Sequence, residues 1–320
     1  MSPHSLNKDD SRDSSLDFLR GVAVAGMFFF SFIATLSDSL PLLLLHNIPG
    51  RFLPGDLVLS LFLFSSGVSL SLVRQRYAST FDRDMWLKLI GRIFRMVLVS
   101  LFITPFSVGV PFGMDEMMLN LVLTIPALFI IGLGELLSWS VVVFIWGFVA
   151  ILARSGHLID SSTSYLGGYP LSFVWLPIVL AGSLTGSQMY LNPIRRIAIW
   201  LVVFLFFCLF DASPDKLNLT PSFGALSALV GELCLVIFRR FKLRLPWLEY
   251  FGSRPLRMWV LMFLLLGPLR LYAETKLNAS QLSFGPTEAV LMALLWMLAS
   301  YGISKGMDKR RGSSASAAAR

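Results

Sequence analysis

Leu16-Asp17-Phe18-Leu19-Arg20-Gly21 opens an apolar run that reaches Leu36. A broken segment follows, Leu45-His46-Asn47-Ile48-Pro49-Gly50-Arg51-Phe52-Leu53-Pro54-Gly55-Asp56, and a second apolar run then passes Gly67. Each run approaches the roughly 20 residues with which an α-helix crosses a bilayer. Between them, Pro41, Pro49 and Pro54 forbid a continuous helix. The pieces Leu40–Leu45 and Pro49–Gly55 are too short to span. This segment therefore reads as irregular backbone that dips into a polar cavity screened by protein, as backbone at membrane depth must be.

The rest of the chain repeats the pattern. Of 320 residues, 55% are hydrophobic and 14% charged, with a mean hydropathy of +0.71, which excludes a soluble core of this size. Further spans are predicted at Ile90–Phe106, Met117–Ile131, Leu136–Ala153, Leu171–Ser187, Ile197–Phe210, Phe223–Phe238, Leu256–Tyr272 and Pro286–Ser304. The expected fold is all-α: one polytopic integral membrane helical bundle of about ten transmembrane helices, the first retained rather than cleaved. With both termini cytoplasmic, all but Arg51, Arg154, Lys216, Arg270 and Lys276 of the 27 Lys and Arg residues fall on the inner side, as the positive-inside rule requires. In a bacterium the membrane would be the inner one. Residues 1–15 read as a disordered polar tail, 16–304 as the membrane domain, and 305–320 as a disordered basic, Ser- and Ala-rich tail.

The net charge of +8 is accounted for by these loops, so nucleic acid is not a partner. Cys208 and Cys234 fall inside apolar spans, where thiols behave as small hydrophobes. No Walker loop, no HExxH and no cluster of His, Cys and acids is present, so neither nucleotide hydrolysis nor a metal site has support.

Few residues remain to carry chemistry. His46 and Asp56 could form a base and its orienting carboxylate, since an imidazole titrates near working pH and an adjacent acid fixes its tautomer. Asp56 also suits a helix N-terminus as a simple cap. His157 and the Tyr165–Pro170 run read as an outer loop and interfacial aromatics. Asp17 and Arg20, three apart on one helix, can pair. Glu135 lies near a helix end; Glu232 is deeper, and an intramembrane acid is a functional candidate whose partner its neighbours do not name. Arg239, Arg240, Lys242, Arg244, Arg254 and Arg257 form the densest basic cluster, suited to a cofactor's phosphates or to anionic lipid.

Leu16-Asp17-x-x-Arg20-Gly21, Met27, His46 and Gly55-Asp56-Leu57-Val58 running into Phe62-Leu63-Phe64-x-x-Gly67 together resemble the heparan-alpha-glucosaminide N-acetyltransferase family. Gly231-Glu232-Leu233 and Phe251–Leu256 are fainter echoes of it. The resemblance implies acetyl transfer from cytoplasmic acetyl-CoA to a sugar amine or glycoconjugate presented from the far side of the lipid bilayer. His46 and Asp56 would be catalytic, Ser31 and Asn47 would lie beside the acceptor, and Arg20, Arg239, Arg240 and Arg254 would hold the cofactor. Asp17, Gly21 and Gly67 would be structural, and a homodimer is compatible with it. The chain departs from the family at Ser31, where an Asn is usual, at Asn47-Ile48-Pro49-Gly50, which lacks a Trp, at Leu59-Ser60, and at Arg254 in place of an Asn. An acyltransferase-3-type O-acyltransferase shares the opening hexapeptide but has a histidine where Ser31 stands. A transporter or flippase would fit the span count but not the lack of repeated halves. A non-catalytic membrane scaffold is the remaining alternative.

Overall fold

The structure, a computed structural model, describes residues 13–46, 48, 51–77, 90–91, 93–99, 101, 116–155, 172–189, 191–211, 214–216, 220–276 and 284–318. The helices in chain order are α1 (Ser14–Leu36), α2 (Leu57–Tyr77), α3 (Glu116–Leu133), α4 (Glu135–Arg154), α5 (Leu176–Ser187), α6 (Pro193–Cys208), α7 (Pro221–Arg240), α8 (Pro246–Ser253), α9 (Pro255–Lys276) and α10 (Pro286–Ala318). Short 3₁₀ turns at Leu42–Leu44, Pro54–Asp56 and Ser172–Trp175 complete the described elements, with no strand among them. A helix satisfies its backbone groups within itself, which an apolar surrounding demands.

Local chemistry sets the ends. Asp13 caps α1 by accepting from the backbone N–H of Ser15 at 3.1 Å and of Leu16 at 3.4 Å. Asn192 caps α6 through Ile194 N–H at 2.9 Å. Proline stands in the first turn of α5 to α8, where its missing N–H leaves no bond unmade. Hydroxyls buried within spans bond back to the preceding turn, as Ser65 does to the Phe62 carbonyl at 2.8 Å and Ser227 to that of Phe223 at 2.8 Å.

Among the described residues, five helical stretches are long and apolar enough to cross a membrane: Ser14–Leu36, Pro54–Gln75, Glu135–Leu152, Pro221–Arg240 and Pro286–Arg310. Val122–Leu133, Phe173–Ser187 and Pro255–Leu269 are shorter apolar helices. Of the expected span at Ile90–Phe106, residues 90–91, 93–99 and 101 are described, all of them helical, and the rest lies outside the described residues. The α2 stretch is 72% buried and the α4 and α10 stretches 28%, so α2 is central and the other two peripheral. Leu136, Phe144 and Leu298 are exposed on those outer helices, and the apolar faces they form suit contact with lipid.

Close approach of helices depends on glycine. At Gly21 a Cβ would overlap the carbonyl oxygen of Leu248, and at Gly252 it would overlap that of Asp17, so α1 and α8 touch backbone to backbone. Gly67 and Gly182 do the same where α2 crosses α5, against the carbonyls of Val179 and Phe64. Small residues at such crossings replace hydrophobic drive with packing.

Two features differ from the reading of the sequence. The basic cluster after α7 contains α8, a short helix whose Leu248 and Phe251 are buried. And α10 continues to Ala318, through residues assigned on composition to a disordered tail. Its continuation contains no proline to stop it, and Asp308 ties it to α8 and α9.

Candidate active site

Arg20 lies on α1 one turn and a half after the N-terminus. Its guanidinium pairs with Asp17 at 3.3 Å, donates to the Gly252 carbonyl at 3.2 Å and reaches the Ser69 hydroxyl. One side chain thereby ties α1 to α2 and α8. It also lines a cavity of about 450 Å³ whose walls carry Arg95, Arg254 and Arg257, with Phe62, Ser66 and Asn120. Four guanidiniums converge there, while the carboxylates bonded to them are Asp17 and Asp308. The excess of positive charge suits a polyanion.

Of the arginines expected at a cofactor, Arg20 and Arg254 line this cavity and Arg239 and Arg240 do not. Arg239 is bound to Asp13, and Arg240 is exposed at the end of α7. Arg95 and Arg257 take their places. Arg95 comes from the helical residues 93–99, and nothing in the sequence says that this stretch faces Arg20.

His46 is half-buried in the segment between α1 and α2. Its ring centroid lies 6.2 Å from that of Phe30, and a Cβ added at Gly55 would lie 2.9 Å from the His46 Cβ. The segment thus folds back from the end of α1 at Leu36 to the level of Phe30, and the missing side chain at Gly55 makes room for it. Phe30 is ten residues beyond Arg20, about 15 Å along the helix. Ser31 is on the same face of α1 as Arg20, since eleven residues turn the helix through about three full turns. Asn47 lies outside the described residues.

Asp56 is 1% exposed, and its Oδ2 accepts the Leu53 N–H at 3.0 Å. It therefore caps the turn that begins α2, the plainer role open to it from sequence. No hydrogen bond between His46 and Asp56 is present among the described residues. Burial first, and the charge of Lys216 second, push His46 down to about 4. A carboxylate bonded to the ring would raise it instead, so the direction agrees with Asp56 being turned to the Leu53 backbone.

Lys216 belongs to a buried polar turn that sequence reasoning passed over. Asp211, Asp215, Lys216, Thr220 and Ser222 are all at most 9% exposed. Asp211 Oδ2 accepts the Ser222 N–H at 2.9 Å, and the Thr220 hydroxyl accepts the Asp215 N–H at 2.8 Å. Burial raises the Asp211 carboxyl above its ordinary range, opposed by its bonds to Ser222. The turn meets the His46 segment where Phe223 packs on Phe52, centroids 6.3 Å apart. The only hint in the sequence was a lysine placed outside against the trend of charge.

Glu232 does have a partner. Its Oε1 accepts from Arg196 Nε at 2.8 Å, with the side chains 0% and 5% exposed, and Arg196 also donates to the carbonyls of Gln188, Met189 and Leu191. The pair joins α6 to α7 and satisfies the end of α5, a structural role. Glu135, the shallower acid, accepts from Gln188 at 3.3 Å. Among the described residues, no group of three or more His, Cys, Asp or Glu could hold a metal ion.

No curated protein matches the chain. A family profile does: heparan-alpha-glucosaminide N-acetyltransferase, catalytic, matches residues 12–206, more than half of the sequence. The matched region includes Arg20, His46, Asp56, Arg95 and Arg196. With its apolar helices and this match, the chain is an integral membrane protein and belongs to the heparan-alpha-glucosaminide N-acetyltransferase catalytic family.

Proposed function

We propose that the chain is a multi-pass membrane acetyltransferase that moves an acetyl group from acetyl-CoA to the amine of an amino-sugar-like acceptor, with His46 at the point of transfer. The observation that carries this reading is an arginine-lined cavity at Arg20 on α1, with His46 beside Phe30, a residue about 15 Å further along that helix. The phosphates of the donor occupy the cavity at the cytoplasmic end, held by Arg20, Arg95, Arg254 and Arg257. The pantetheine arm runs along the Arg20 and Ser31 face of α1 toward His46. The acceptor reaches the same point from the outer side, past Lys216 and Asp211.

With its pKa at about 4, the His46 ring is neutral at physiological pH and keeps a free lone pair. It either takes the proton of the attacking amine or first accepts the acetyl group as the thiolate leaves. Asp56 caps the turn beside Gly55, against which His46 rests, and in the loaded enzyme orients the ring; catalytic contacts commonly tighten only with substrate bound. The helical shell keeps water from the thioester while the two substrates meet.

Labelled acetyl-CoA and a panel of amino sugars, supplied to purified protein, test the reading. Transfer should vanish in His46→Ala and fall by about 10² or more in Asp56→Asn. Trapping and mass spectrometry of His46 separate an acetyl-histidine from direct transfer. Full activity in His46→Ala would refute the assignment.

A further inference from the structure

We propose that Asp308, near the far end of α10, positions the anion-binding arginines. Its Oδ1 accepts from Arg257 at 2.6 Å and its Oδ2 forms an ion pair with Arg254 at 2.9 Å, so one carboxylate bridges two of the four guanidiniums on the cavity wall. The Tyr250 hydroxyl donates to the same Oδ2 at 2.8 Å, and the Tyr250 ring lies under the Arg254 guanidinium, 4.6 Å away. Arg257 is held further by the Ser304 carbonyl and hydroxyl, both at 3.3 Å.

The bridge answers an electrostatic difficulty. Arg254 precedes the first residue of α9 and Arg257 lies in its first turn. Cations are disfavoured at a helix N-terminus, and two of them three residues apart repel each other as well. Left alone, both long side chains would swing out toward water. Asp308 holds them side by side, and each keeps further N–H groups for a ligand, since a guanidinium has five. An anion then meets donors already ordered, which lowers what binding must spend on freezing side chains. The bridge comes from a residue about fifty positions away in sequence, on a part of α10 beyond the expected last span.

This inference rests on the reading of the cavity as the seat of a phosphate-bearing donor. Equilibrium binding to the full chain in detergent micelles tests it, with CoA and inorganic pyrophosphate as probes. Asp308→Ala should weaken both by about tenfold, or about 1.4 kcal/mol, and raise the KM for acetyl-CoA with kcat little changed. Asp308→Glu should restore most of the affinity, which a general loss of folding would not allow, and equal thermal midpoints of the two variants complete the control. Unchanged affinity in Asp308→Ala overturns the proposal. So does tighter binding, which would make Asp308 a competitor of the anion. Wild-type protein that binds pyrophosphate but not CoA would refute the donor reading alone, with Asp308 still judged by the pyrophosphate series. Protein that binds neither probe overturns both.

Discussion

Replacing Lys216 by Met should move the titration of His46, and by an amount that can be bounded. His46 is lowered from 6.5 to about 4, with burial the larger cause and Lys216 the smaller. The lysine therefore accounts for less than half of the displacement, and Lys216→Met should raise the midpoint by about one pH unit. His46 is one of only three histidines, so substituting His4 and His157 leaves one imidazole to follow by NMR in micelles. At pH 5 the ring should be about 90% neutral, whereas an ordinary histidine would be almost wholly charged. The same displacement links to stability. Between pH 6.5 and 4 the unfolded chain takes a proton that the folded chain refuses, so this contribution is complete above pH 6.5. It falls by at most about 3 kcal/mol as the pH drops through that window, then levels off. A wild-type midpoint near 6.5, or no movement in Lys216→Met, would refute the account of the site's electrostatics.

Removing one member of the Arg196 and Glu232 pair should destabilise the protein by about 3–5 kcal/mol, because a buried carboxylate or guanidinium is left uncompensated. Thermal unfolding of Arg196→Met, Glu232→Leu and the double variant should show the double variant to be less damaged than the sum of the singles. Strict additivity would mean that the two do not interact. Gly67→Ala or Gly182→Ala should force α2 and α5 apart and lower stability by about 1–3 kcal/mol. Gly147→Ala, on a helix with nothing within 4 Å of the added carbon, should be neutral or slightly stabilising, and equal effects at the three sites would contradict the crossing geometry. In the transfer assay, Arg95→Ala should raise the KM for acetyl-CoA while Arg240→Ala leaves it alone, and the reverse order would misplace the donor.

The sequence by itself determined the class of fold and the family. Apolar runs of span length, prolines at helix starts and the broken segment around His46 all act over a few residues. In an apolar surrounding, backbone bonds must close within each helix, so local pattern is enough to place one. The Leu16–Gly21 opening, with His46 and Asp56, was legible for the same reason, as a short motif at fixed spacing. Which charged groups meet was decided only by the tertiary structure. Glu232 found Arg196, Arg254 and Arg257 found Asp308, and Asp56 turned to the Leu53 backbone while Lys216 supplied the charge acting on His46. Ion pairs and proton affinities depend on which helices lie side by side and how deeply each group is buried. Those are relations between parts of the chain far apart in sequence, and the spacing along it does not contain them.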